Sequence, residues 1–508
     1  MKHMATKKAV PWSSLRKGIQ AGSLVFFIAA VVLVRKGQDL EWLIKLPVNL
    51  DPLLVFSSSV ASRKIAGGII IAALMLLLTL VFGRFWSGWL CPLGTTLDIF
   101  RFRKKDGITI PESLRNGKYI VLAVILIGAI FGIQTVIWLD PVSIFNRLLV
   151  TGILPTFDFA VTSLQNWLYP VQFLSGFVDW LDTALRPGIL PYEPANFRKT
   201  AWILLLPAII ILLNIYAHRF WCRYLCPLGG LYGLLSRVSI FQRRVISSKC
   251  ISCQACSQVC PTATIDAHNG FRSDPAECTV CMDCISRCPA EANTFTAGKP
   301  VFSKFAYDPS RRQLFAGLGV GALAILFYRV VRVFHFKPIR PPGVDQQGFL
   351  SQCIRCGACY KICPTNAIQP VSAGDEGLGS PELIPRIGYC DYSCNACGLV
   401  CPTQAIPALS LEQKRSTVIG KAIIYTDQCI AWAEHRDCIV CEEMCPIPHK
   451  AIYLQEAEFL SRDGGNIRVK LPFVDRELCI GCGICENKCP VAGEAAIRVS
   501  PPGTNDAL

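Results

Sequence analysis

The 508-residue chain contains no Cys-x-x-Cys-His, so it offers no attachment site for a covalent c-type haem. Histidine is scarce, with six in all, and His218 stands alone beside the apolar runs, so no facing pair of imidazoles is on offer to a b-type haem. No glycine-rich dinucleotide fingerprint follows a strand-like run, which excludes direct use of NAD(P)H, and no flavin motif is present. Acidic residues are in deficit, 36 against 51 Lys and Arg, for a net charge of +15. Even so, no basic stripe is interleaved with aromatics, and nucleic acid is not an expected partner. The basic residues gather instead beside apolar runs, as membrane topology signals do. A hydrophobic fraction of 52% and a mean hydropathy of +0.40 are high for a soluble protein of this length, which allows about three domains.

What the chain has in quantity is cysteine, 27 residues of it. A disulfide scaffold is normally a short secreted domain, which this chain is not. Twenty-four of the 27 fall into six groups of four, and five of those follow or nearly follow the spacing that holds iron–sulfur clusters. The other three, Cys91, Cys222 and Cys226, lie beside apolar segments.

The first half predicts four transmembrane helices over Ile19–Val34, Ile65–Phe82, Tyr119–Leu139 and Ala201–Tyr216, each near the ~20 residues that span a bilayer. A basic N-terminus and the loop Arg84–Lys118, with Arg84, Arg101, Arg103, Lys104, Lys105, Arg115 and Lys118, put both ends of the first pair in the cytoplasm. The four helices read as two copies of one unit. Leu50-Asp51-Pro52-Leu53 is matched by Leu139-Asp140-Pro141-Val142. Arg84-Phe85-Trp86-Ser87-Gly88-Trp89-Leu90-Cys91-Pro92-Leu93-Gly94 is matched by Arg219-Phe220-Trp221-Cys222-Arg223-Tyr224-Leu225-Cys226-Pro227-Leu228-Gly229. The stretches after these elbows, Thr95–Lys105 and Gly230–Arg244, suit helices lying on the inner membrane surface.

In this topology the Asp-Pro pairs face outside and the elbows inside. The outer loop 140–199 carries Phe159, Trp167, Tyr169, Phe173, Phe177 and Trp180, which read as an interfacial aromatic belt or as the wall of a quinol pocket. Asp51 or Asp140 would accept a proton released on quinol oxidation, because a carboxylate near the bilayer is costly and so a functional candidate. Asp before Pro is equally an ordinary turn starter. Cys222-x3-Cys226 reads as a redox-active thiol pair, a metal site or a packing motif. Ser87 stands at the position of Cys222 in the first copy, so no mechanism needing both pairs is open.

Residues 250–288 hold Cys250-x2-Cys253-x2-Cys256-x3-Cys260-Pro261 and Cys278-x2-Cys281-x2-Cys284-x3-Cys288-Pro289. Three thiolates on one turn reach three corners of a [4Fe–4S] cube, and the fourth, displaced by the Cys-Pro turn, reaches the neighbouring cube. One cluster would use Cys250, Cys253, Cys256 and Cys288, the other Cys278, Cys281, Cys284 and Cys260. Four more groups follow a stiff linker at Pro338–Pro342. Cys353, Cys356, Cys359 and Cys363, like Cys479, Cys482, Cys485 and Cys489, keep the spacing. Cys390, Cys394, Cys397 and Cys401 have one extra residue. Cys429, Cys438, Cys441 and Cys445 depart further, through the insert 430–437, whose His435 is an alternative ligand to Cys429. Two exchanges of fourth ligands fit: between neighbours (first with second, third with fourth), or nested. Six [4Fe–4S] clusters are expected in all.

Between the two blocks, Ser310-Arg311-Arg312 precedes an uncharged run, Leu314–Tyr328, of signal-peptide length, followed by Arg329 and Arg332. This matches a twin-arginine export signal, retained as a fifth anchor extending to Phe334. It would leave two clusters inside and four outside. The expected fold is an α-helical membrane domain (four helices as a duplicated pair, plus a fifth anchor helix) with two ferredoxin-like α+β polycluster domains. The divisions are 1–245 membrane, 246–300 two-cluster, 308–336 anchor and 337–508 four-cluster.

Residues 15–300, with paired Cys-Pro-Leu-Gly elbows and a two-cluster ferredoxin, resemble the NapH-type membrane ferredoxins. Residues 308–500, with twin arginines, Arg340-Pro341-Pro342-Gly343 and four cysteine groups, resemble the NapG/MauM-type ferredoxins. The resemblance implies a quinol dehydrogenase of the bacterial inner membrane that draws on the quinone pool and feeds a periplasmic reductase or cytochrome, with residues 246–300 cytoplasmic and 337–508 periplasmic. The alternatives are a ferredoxin-linked transmembrane conduit and an electron-delivering maturation factor for another metalloenzyme. The fusion itself and Ser87 depart from the family pattern.

Overall fold

The computed structural model describes residues 12–35, 39–102, 111–171, 173–186, 190, 195–197, 200–298, 319, 338–346, 348–371, 377–460 and 466–503. The twin-arginine segment Ser310–Phe334, Gly319 apart, lies outside these residues. The chain divides into two compact units. One is Met1–Val32, Leu43–Leu149 and Ala201–Val330; the other is Leu33–Trp42, Val150–Thr200 and Val331–Leu508.

The first unit is led by α1 (Trp12–Val32), which turns its polar residues inward. Arg16, Gln20 and Ser23 are buried with Phe27 and Ala30, while Val25 and Leu33 face out. Such an inverted stripe suits a helix whose outer solvent is lipid. Next come α2 (Glu41–Asn49), α3 (Pro52–Ser62) and α4 (Ile69–Phe82), an uncharged helix that buries only Ala72, Met75 and Thr79. The first elbow is α5 (Phe85–Trp89) and α6 (Pro92–Ile99). It is followed by α7 (Gly117–Ile130) and α8 (Pro141–Arg147), which continues through a π turn at Leu148–Ile153 into α9 (Leu154–Leu168). After α10 (Ser175–Leu185) and α11 (Thr200–Leu212), the second elbow is α12 (Phe220–Tyr224) and α13 (Pro227–Ser236).

Among the described residues, Trp12–Val32, Ser113–Ile130 and Pro141–Leu168 are long and apolar enough to cross a bilayer. The α2–α3 pair, bent by 93°, makes a fourth if it is one span, and the protein is a multi-pass membrane protein. This differs from the four expected runs. α4 and Ile203–Ile215 are shorter apolar helices. The expected run Tyr119–Leu139 ends as a helix at Ile130, before Gly132 at φ 75°, and resumes as a 3-10 turn over Thr135–Leu139. Conversely, the expected outer loop 140–199 contains a 28-residue helix. Arg147, Pro155 and Asp158 interrupt its apolar run, which hides it from a search for uncharged stretches.

The expected surface helix at Gly230–Arg244 is corrected too. α13 is buried along Pro227–Gly230, Tyr232, Gly233 and Ser236, and the chain then turns into a strand. Gly230 explains the depth: a Cβ there would come within 3.1 Å of the Lys118 carbonyl oxygen on α7. The two-cluster region closes with β1 (Phe241–Val245) antiparallel to β4 (Asn293–Ala297), around a short pair β2 (Ile265–Asp266) and β3 (Arg272–Ser273).

In the second unit Arg35 donates to the carbonyls of Arg186 (2.6 Å) and Leu190 (2.9 Å). The α9 and α10 helices are tied by Gln165 to Asp182 (3.2 Å) and by Arg186 to Thr162 (3.3 Å). Asn196 accepts from Asn366 and from Gln369 (3.1 Å), and Phe197 meets Tyr360 edge-on at 6.3 Å. The cysteine-rich part is built on three antiparallel pairs: β5 (Ile368–Pro370) with β6 (Pro381–Leu383), β7 (Lys421–Ile424) with β10 (Ile497–Ser500), and the hairpin of β8 (Ile452–Leu460) with β9 (Asn466–Val474).

Candidate functional site

Each cysteine group that keeps the regular spacing bends its backbone in the same way. The residues on both sides of the second cysteine have positive φ: Ser252 and Gln254, Val280 and Met282, Arg355 and Gly357, Gly481 and Gly483. A short helical turn then carries the third cysteine, as at Ala255–Val259 and Ala358–Ile362. Successive reversed residues turn backbone N–H groups into a concavity that favours an anion, which a thiolate-ligated cluster is. The two irregular groups lack this pair of reversals; Asn395 lies at φ −129° and Ile439 at −111°.

The fourth cysteines settle which groups exchange ligands. Cys353, Cys356, Cys359 and Cys401 line one cavity with Phe349, Ile354 and Ile406. Cys429, Cys438, Cys441 and Cys489 line another. Cys363 neighbours Cys390 and Cys397, and Cys445 neighbours Cys482. The exchange is between neighbouring groups, not nested. In the first block Cys260 neighbours Cys278, Cys281 and Cys284, matching the expected exchange. Four thiols around an apolar cavity fit a [4Fe–4S] cluster. Burial pushes the Cys356, Cys390 and Cys441 thiols up to about 12, so binding must displace protons and its free energy becomes folding free energy. His435 is not at its cavity. It stacks on Phe459 of β8 at 3.9 Å, and Cys429 lines the cavity instead.

The first elbow is fastened to the cysteine loop of the two-cluster region. Trp89 Nε1 donates to the Val280 carbonyl (2.9 Å) and Arg84 Nη1 to that of Ala276 (2.7 Å). A Cβ at Gly88 would lie 2.2 Å from the Thr279 carbonyl oxygen, so only glycine fits. Beneath this contact Glu277 is buried among three cations: Lys118, with which it makes a short contact, Arg84 (3.4 Å) and Arg115 (3.5 Å). Burial pushes the Glu277 carboxyl up, but Lys118, Arg84 and Arg115 outweigh it and hold the group below the ordinary range. Arg219, the second-copy counterpart of Arg84, makes a bidentate pair with Asp98 (2.8 and 2.6 Å) and donates to the Ser87 carbonyl. Asp98 also receives Gln20 (2.9 Å) and His218 (3.1 Å). As sequence, Arg84, Arg115 and Lys118 read only as topology signals. The repetition of Arg84 as Arg219 in the second elbow was the signal that these two do more.

Cys91 and Cys226 occupy equivalent places at the starts of α6 and α13. Each Sγ accepts from a backbone N–H, of Gly94 (3.4 Å) and Gly229 (3.3 Å). Cys222 is buried near both. Asp51 and Asp140 are likewise equivalent, each capping a helix that begins with Pro, and the structure brings the two together as neighbours. The aromatics of the 140–199 region point outward: Phe159, Trp167, Phe173 and Trp180 are 62–92% exposed. An outward aromatic surface is what an interfacial belt presents.

Comparison with known proteins follows the same division. Models described as a 4Fe-4S binding domain match residues 65–109 and 200–246, one on each elbow, and residues 472–492. Models of a 4Fe-4S dicluster domain match residues 242–289, 277–368 and 352–405. The methylamine utilization ferredoxin-type protein MauM of Paracoccus denitrificans is 35% identical over 209 residues, 39% of this chain and 90% of that protein. The ferredoxin-type protein NapH of Escherichia coli is 26% identical over 264 residues, 48% of this chain and 74% of NapH. The putative electron transport protein YccM of the same organism is 27% identical over 250 residues, 48% of this chain and 59% of YccM. No solved structure matches. With a MauM protein matched over nine-tenths of its length and NapH over three-quarters, the chain belongs to the NapH- and MauM-type ferredoxins, iron–sulfur electron-transfer proteins, and joins the two types in one polypeptide.

Proposed function

We propose that this chain oxidises membrane quinol and delivers the electrons to a redox partner outside the cytoplasm. The observation that carries the reading is the seat of the first elbow on the cysteine loop 276–281. A redox centre held by Cys278, Cys281, Cys284 and Cys260 then lies directly against the membrane half, within reach of a reaction in the bilayer. The six cysteine groups would hold six [4Fe–4S] clusters, whose chemistry is one-electron carriage. The chain's own residues hold them in place, exclude water and fasten them to the membrane half.

The division we adopt is 1–245 as a duplicated membrane domain, 246–300 as the two-cluster domain, 308–336 as an anchor and 337–508 as the four-cluster domain. The protein would sit in the bacterial inner membrane with 246–300 in the cytoplasm and 337–508 outside. The charge pattern supports this sidedness. Arg16, near the start of α1 beside Lys17, pairs with Asp283 of the two-cluster region at 3.0 Å, so 246–300 goes with a basic helix end. Ser310-Arg311-Arg312, ahead of residues 337–508, matches an export signal.

Purified full-length protein mixed with quinol under anoxia should develop the EPR signals of reduced [4Fe–4S] clusters. Complete silence with every quinol tried, in protein that dithionite reduces, would overturn the reading.

A further inference from the structure

The two Asp-Pro caps build a site that neither makes alone. Asp51 Oδ1 accepts from the N–H groups of Leu53 (2.9 Å) and Leu54 (3.3 Å). Asp140 Oδ1 accepts from Val142 (2.9 Å) and Ser143 (3.2 Å). Both residues are 0% exposed. The two carboxyl groups are at hydrogen-bonding range of one another, yet Oδ2 of each has no donor.

The groups around them supply little to meet a double negative charge. Arg147 of α8 faces Asp140, but it also donates to the Trp138 carbonyl and lies over the Trp138 ring. Cys91 at the start of α6, Cys226 at the start of α13 and Tyr232 within α13 are the other titratable neighbours. The Tyr232 hydroxyl, on a fully buried side chain, has no partner. Two ionised carboxylates have only acceptors to offer each other. One proton between them turns the contact into a hydrogen bond and halves the buried charge.

We propose that Asp51 and Asp140 form a single proton-binding site, an acid–carboxylate pair that shares one proton at neutral pH between the two copies of the repeat. The duplication is what creates it, since each copy contributes one carboxyl and one helix cap. The titration belongs to the pair and not to either residue. That the pair receives a quinol's proton rests on the function proposed above; the pair itself does not.

The test is infrared spectroscopy on the full-length, cluster-loaded protein without quinol. An ordinary aspartate, with a pKa of about 3.9, is ionised by roughly a thousand to one at pH 7. The wild type should nevertheless show the carbonyl stretch of a protonated carboxylic acid at pH 7, shifted by deuterium exchange. That band should vanish in both Asp51→Asn and Asp140→Asn. Asn retains the capping oxygen, so both helix starts survive, and its amide donates to the remaining carboxylate, which no longer needs a proton. Absence of the band in wild type at pH 7, or its survival in both variants, would overturn the proposal. Should a variant fail to accumulate, titration of the wild type decides: the band must be present at pH 7 and be lost at alkaline pH. Because no quinol is present, a failure here leaves the quinol reading standing, and the converse holds too.

Discussion

Glu277 shows how one residue joins an iron–sulfur region to a membrane domain. Its buried carboxylate is met by Lys118, Arg84 and Arg115, the last two at 3.4 and 3.5 Å. Three buried cations around one anion leave a net positive charge, so the carboxylate is indispensable. Breaking such a group by removing one partner costs about 3–5 kcal/mol. Glu277→Gln should therefore loosen residues 246–300 from the membrane half, read as faster proteolysis of that region and a lower unfolding temperature. The pH dependence has a definite sign. A carboxyl held below its ordinary range in the folded protein contributes stability that is complete above the unfolded pKa of about 4.3 and is lost as pH falls through the lower folded value. The wild type should hold this contact unchanged from pH 7 to about 5 and lose it in stronger acid, whereas the Gln variant should be weak throughout that range. A Gln variant as stable as wild type at pH 7 would refute the assignment.

At the scale of elements, the elbow is the unit that matters, and Gly88 is its narrowest point. Any side chain there meets the Thr279 carbonyl, at 2.2 Å for the first carbon alone. Gly88→Val should push the elbow off the cysteine loop, at a cost of about 1–3 kcal/mol for the forced backbone shift. Iron content should stay near wild type while quinol-dependent cluster reduction slows. Equal slowing of reduction by dithionite would point to cluster damage instead. Cysteine spacing made every group legible in the sequence, because the ligands sit on one short turn whose geometry is local. The exchange of fourth ligands was not legible, since it depends on which loops fold together. The charges at Arg84, Arg115 and Lys118 were read as loop signals because their burial around Glu277, about 160–190 residues away, does not show in local spacing. His435 shows the same limit. Its position in the insert suggested a ligand, but Phe459, 24 residues on, takes its ring. Cys429→Ser should accordingly remove one four-iron cluster's worth of iron, and His435→Ala none.

For the whole molecule, the decisive question is which faces of the membrane the two cysteine-rich regions occupy, and α1 is the ruler. At about 1.5 Å per residue its 21 residues extend about 31 Å, close to the hydrocarbon thickness. Arg16 near its start is tied to Asp283 of the two-cluster region. Under the function proposed, the basic residues Arg16 and Lys17 put the start of α1 and residues 246–300 in the cytoplasm. The twin arginines Arg311 and Arg312 ahead of residues 337–508 are what assign that region to the outside. In intact spheroplasts an added protease should cut within residues 337–508 and leave 246–300 whole, with both regions cut once the membrane is broken. Fragments identified by mass spectrometry would report this directly. Digestion of 337–508 only in broken cells would place all six cysteine groups on one side and end the reading of the chain as a conduit across the membrane.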